Sequence, residues 1–83
     1  MHFPVFRKYP NNLSFFKIID DRHFMEVKLT GRRAEVHVIE AKILPDVNFI
    51  QDMLKMAGGH WVECSPEEFS LHLASARGHR AGI

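Results

Sequence analysis

Residues 20–31, DDRHFMEVKLTG, can form a helix or a strand, and the rest of the chain must fold around whichever they form. Asp20 and Asp21 suit a helix N-terminus, where a carboxylate accepts hydrogen bonds from free backbone N–H groups. Gly31 suits a C-terminal cap, because a left-handed backbone costs glycine little. These signals predict a helix from about Asp21 to about Leu29. The alternative is a strand over His23–Thr30, in which Phe24, Glu26 and Lys28 alternate with Met25, Val27 and Leu29. The capping residues favour the helix.

On the N-terminal side, LSFFKII (13–19) is rich in aromatic and β-branched residues and predicts a strand. Residues 1–12 mix aromatics, bases and prolines ahead of the turn-forming Pro10-Asn11-Asn12, and are expected to be a partly ordered arm. On the C-terminal side, RRAEVHVIEAKIL (32–44) predicts a strand. Val36 and Val38 face one way, and His37, Ile39, Ala41 and Ile43 the other. Two partly apolar faces point to a central position in the sheet. PDVNFIQDMLKMAGG (45–59) predicts a helix capped by Asp46 and stopped by Gly58-Gly59. A strand hairpin returning over 49–54 is the alternative. HWVEC (60–64) reads as a strand. SPEEFSLHLASA (65–76) carries the strongest helix start, with Ser65 as cap, Pro66 at the first helical position and Glu68 completing Ser-x-x-Glu. The glycine-rich, basic residues 77–83 are expected to form a flexible tail. The echo between IIDDRHF and VECSPEEF suggests a hydrophobic contact across each helix start, Ile19 with Phe24 and Cys64 with Phe69.

With 83 residues, the chain is expected to be a single domain spanning 1–83. Hydrophobic residues are 46% and charged residues 25%, the balance of an ordered globular protein. A domain of this size buries only about 60% of its unfolded surface. With one cysteine it has no internal disulfide to help. Small cores of this kind are often supplemented by a partner subunit, so self-association is expected. The net charge of +1 is too balanced for a dedicated nucleic-acid or membrane-surface binder. No run approaches roughly 18 apolar residues, so no membrane contact is expected. The lone cysteine and the absence of a signal-peptide pattern at the start point to the cytoplasm.

Chemistry-bearing residues are sparse. His60 and Cys64 would touch on a helix, but on a strand they stand roughly 13 Å apart. Cys64 is expected to be a small buried hydrophobe rather than a nucleophile. Six histidines with a single cysteine and no H-x-x-x-H lack zinc-ligand spacing. His72 falls on the apolar side of the last helix, near Phe69, Leu73 and Ala76. His37 could approach His60 only if their strands were adjacent. Asp20, Asp21, Glu67 and Glu68 are explained by helix starts. No catalytic residues, metal or cofactor are therefore expected, and an enzyme is disfavoured.

Two binding readings compete. In the first, Val47, Ile50, Leu54 and Ala57 fill the core and leave Phe49, Met53 and Met56 as an interaction stripe. The chain would then be a protein-binding or self-associating module, such as a homodimer. In the second, Arg7, Lys8, Tyr9, Lys17, Arg32 and Arg33 form a basic, aromatic surface for nucleic acid. The fold expected for either is a small α+β domain. It has a three- to four-stranded mixed or antiparallel sheet and two to three helices mainly on one face.

Overall fold

The computed structural model describes residues 2–81, with side chains described for residues 2–77. The class is α+β. Five strands, β1 (Val5–Lys8), β2 (Ser14–Ile18), β3 (His23–Thr30), β4 (Arg33–Glu40) and β5 (Val62–Glu63), form one sheet in the order β4-β3-β2-β1-β5. Every neighbouring pair is antiparallel. Helix α1 (Leu44–Lys55) links β4 to β5, and α2 (Pro66–Ala81) follows β5. The sheet thus has one strand more than the upper expectation.

The stretch at 20–31 is a strand, not a helix. Its period-two alternation prevails because both faces of β3 find partners. Phe24 joins a cluster with Phe16, Ile18, Ala41, Ile50, Met53 and Trp61. Val27, completely buried, joins a second cluster with Phe15, Cys64, Phe69 and Ala76. The supposed capping residues make turns instead. Asp20 Oδ1 accepts the Arg22 N–H at 2.8 Å, a local side-chain turn at the β2–β3 corner. Gly31, at φ 60, opens the two-residue β3–β4 hairpin where a positive φ is needed. Ile19 is left 39% exposed, so the contact expected between it and Phe24 at a helix start does not form there.

The two clusters lie on opposite faces of the sheet. Adjacent strand residues point to opposite faces, and Phe15 and Phe16 are both 0% exposed. Phe16 meets Phe49 of α1 with ring centres 6.2 Å apart, while Phe15 stacks on His72 of α2 at 4.0 Å. The helices are therefore divided between the faces, where one face was expected. This division also corrects the position of β4, which is an edge strand. Its two partly apolar faces report a helix above and a helix below, not a strand on either side.

Local signals explain the remaining elements. α1 begins before Asp46, with Pro45 in its first turn and Asp46 beside the positive end of the helix dipole. It ends at Met56, which takes the left-handed conformation at φ 52. Ser65 caps α2 as expected, its Oγ accepting the Glu68 N–H at 3.0 Å. The Glu68 carboxylate does not complete a capping box; it reaches Lys8 Nζ at 2.9 Å. Cys64 and Phe69 are buried in one cluster across that helix start. Residues 5–8, expected within an arm, form a strand between β2 and β5. The helical backbone of α2 continues through Ala81, past the start of the expected tail, whose last two residues lie outside the described ones.

The β2–β3 corner carries a charged clamp. His23 Nδ1 lies 2.8 Å from Asp20 Oδ1, and its Nε2 lies 3.6 Å from Glu40 Oε2. The hydrogen bond that His23 donates to Asp20 holds the His23 pKa above its ordinary value. The Arg22 N–H and then His23 hold that of Asp20 below its own. The raised histidine adds stability that is full below its unfolded pKa and fades as pH rises through the folded one. The lowered aspartate adds stability above its unfolded pKa that fades as pH falls through the folded one. The stability lost in His23→Gln is therefore expected to be greatest between about pH 4 and pH 6.5. Urea unfolding across pH checks this, and a loss that stays constant with pH would contradict it.

Candidate functional site

The residues expected to carry function are not gathered in one place. Met53 is completely buried, and Phe49 and Met56 pack half-buried on the same cluster. Phe49 sits among Phe16, Phe24 and Trp61, with ring centres 6.2, 5.6 and 5.6 Å away. The stripe that sequence periodicity left for a partner thus faces the sheet. The arc was wide because α1 covers a layer of large aromatic rings.

The basic set is dispersed. Arg7 donates from Nε to the Met53 carbonyl at 3.1 Å and from Nη2 to the Leu54 carbonyl at 3.2 Å. It caps the C-terminus of α1, where free carbonyls attract a cation. Lys8 points to the other face and pairs with Glu68. Lys17 is half-buried on that α2 face, and Tyr9 packs into the α1-side cluster. Burial, followed by the charge of Glu26, raises the Tyr9 pKa. Arg32 and Arg33 lie at the β3–β4 hairpin, and β4 is three strand spacings from β1, or about 14 Å at the usual spacing.

His60 and Cys64 do not form a site. The strand expected over 60–64 is only Val62–Glu63, which leaves both residues outside it, and His60 has a helical turn conformation at φ −75, ψ −20. They are still kept apart. His60 is exposed beside Trp61 on the α1 side, and Cys64 is buried in the α2-side cluster. The Cys64 pKa is pushed up to about 11, chiefly by burial and then by the charge of Glu68. His37 on β4 and His60 just before β5 belong to opposite ends of the sheet order. Among the described residues, no three His, Cys, Asp or Glu side chains gather closely enough to hold a metal ion. No described helix is long and apolar enough to cross a membrane.

Two surface features remain. One is a cleft of about 430 Å³ lined by Tyr9, Pro10, Asn11, Phe49, Gly59, His60 and Trp61. The Trp61 indole N–H is buried beside it with no hydrogen-bond partner among the described residues. The other is the outer edge of β4. The hairpin pairs Thr30 with Arg33, and Ala41 N–H bonds the Arg22 carbonyl, so odd-numbered residues of β4 bond inward to β3. Ala34, Val36, Val38 and Glu40 therefore aim their backbone N–H and C=O groups outward. Their side chains lie on the α2 face, while Arg33, Glu35, His37 and Ile39 lie on the α1 face. Val38 is 68% exposed although it is a β-branched residue within a strand. Glu35 and His37 stand half-exposed, 3.0 Å apart. A strand of this length with unpaired backbone groups can accept another strand. Alternation was visible in RRAEVHVIE, but nothing in the local sequence marked it as an edge.

The chain matches no protein-family model, no curated protein and no solved structure.

The environment of Cys64 predicts an inert thiol. In native buffer near pH 8 it is expected to react with an aromatic disulfide reagent only as fast as the domain opens, and rapidly in denaturant. Immediate stoichiometric reaction of the folded protein would contradict this.

Proposed function

We propose that this chain is a non-enzymatic protein-binding module that receives an extended segment of its partner along the outer edge of β4. The observation that carries this reading is the eight-residue strand Arg33–Glu40 at the end of the sheet, with no described residue paired to its outer side. Four outward N–H and C=O sets offer main-chain hydrogen bonds, and Val38 offers an apolar contact. Charged residues on an edge ordinarily discourage indiscriminate pairing. Here Arg33, Glu35, His37 and Glu40 differ in character along the strand, so they select a partner with a matching pattern rather than forbid one.

Support against catalysis comes from the roles the reactive groups already fill. Asp20 and His23 close a turn, Glu68 holds Lys8, and Cys64 fills a core position. A free thiol and a protein-binding role both suit the cytoplasm.

Selection from a random linear-peptide library tests the reading and needs no partner chosen in advance. Selected peptides are expected to slow amide hydrogen exchange at Ala34, Val36, Val38 and Glu40. Val38→Pro, which deletes one outward N–H without touching the β3 ladder, is expected to weaken them about tenfold, the loss of one hydrogen bond. Peptides that bind equally well to Val38→Pro, or that protect other strands only, would overturn it.

A further inference from the structure

We infer that the occupant of the β4 edge is a second copy of this chain, paired antiparallel about a two-fold axis that passes through Val36. The inference rests on the strand-addition reading above and adds the partner and the register.

Symmetry restricts the choices. A two-fold axis perpendicular to the sheet continues each face across the seam, so residues opposite one another must come from the same face. On β4 this means odd opposite odd and even opposite even. The outward hydrogen-bonding residues are the even ones, so they must form the hydrogen-bonded pairs. Two registers use nearly the whole strand. One pairs Arg33–Ile39 with the same stretch reversed and centres on Val36. The other pairs Ala34–Glu40 with its reverse and centres on His37.

Hydrogen-bonding and charge complementarity decide between them. With Val36 on the axis, each Glu35 stands opposite the second copy's His37, and each Arg32 at the hairpin reaches the second copy's Glu40. Each complementary contact occurs twice. Val38, 68% exposed in one copy, lies opposite Ala34 and diagonal to Val36 of the other, which covers its apolar surface on the α2 face. With His37 on the axis, the two imidazoles oppose one another, Glu35 faces Ile39, and Glu40 faces Ala34. No carboxylate then meets a hydrogen-bond donor side chain directly. The Glu35–His37 contact within one copy, at 3.0 Å, puts both groups on the same face and in the outer row that the seam would bring together. The two five-stranded sheets then become one continuous sheet with both β4 edges hidden.

Two single substitutions test the register. In Glu35→Lys, a lysine meets the second copy's His37; in His37→Glu, two carboxylates meet. Either variant alone is expected to dimerise about tenfold more weakly than the parent in sedimentation velocity. Mixed together, they restore both contacts. The introduced lysine of one chain meets the introduced glutamate of the other, and the retained His37 of the first meets the retained Glu35 of the second. Native mass spectrometry of the mixture should show more heterodimer than random mixing gives. A near-ultraviolet circular dichroism spectrum like the parent's verifies that each variant is folded. As a second measurement, Val36→Cys should form an intermolecular disulfide on mild oxidation and His37→Cys should not. A parent that stays monomeric at high micromolar concentration overturns the self-pairing, and leaves strand addition to be judged by the peptide selection. A dimer indifferent to Glu35→Lys, or cross-linked through His37→Cys instead, overturns the register.

Discussion

Phe15 and Phe16 are neighbours on one strand, and both are sealed from solvent. Because adjacent strand residues point to opposite faces, this pair requires the sheet to be covered twice. The chain meets the requirement with α1 on the Phe16 side and α2 on the Phe15 side. Each buried large side chain contributes about 1.5–3 kcal/mol, so neither face of so small a domain can be left open cheaply. The connection from β4 to β5 also follows. α1 carries the chain across one face from one edge of the sheet to the other, and α2 returns over the opposite face toward β4.

Covering both faces leaves the edges. At one end the sheet closes with the two-residue strand β5, which is short and offers little template for pairing. At the other end lies β4, eight residues long. The asymmetry is the physical basis for placing function there. The proposed binding surface accordingly lies not on a helix face, where hydrophobic periodicity suggested it, but on main-chain groups that side-chain patterns do not reveal. Arg7 shows the same economy of material in a different way. A base that could have served a nucleic acid holds the C-terminal carbonyls of α1 onto β1.

The elements legible in the sequence were those fixed by short-range chemistry. Ser65 and Pro66 start α2 where expected, Gly58-Gly59 follow the end of α1, and the aromatic run at 13–19 contains β2. The failures share a cause. Asp20 and Gly31 have side chains and backbones that suit helix ends and hairpin turns equally, so their identity could not choose between them. β1 carries only four residues, and besides the neighbouring β2 it is held by β5 and by Lys8 with Glu68, both distant in sequence. An apolar residue on each face of β4 indicates burial above and below but says nothing about in-plane neighbours. For the candidate site, the stripe of Phe49, Met53 and Met56 was legible as an apolar surface, yet only the aromatic layer beneath it decides that the surface points inward.

The two-sided sheet can be read directly from through-space proton contacts in solution. Nuclear Overhauser spectra of the isotope-labelled protein should connect the Phe15 ring to His72 and the Phe16 ring to Phe49, with no cross-over between the two sets. Contacts from both rings to a single helix would contradict the two-core arrangement on which the open edge of β4 depends.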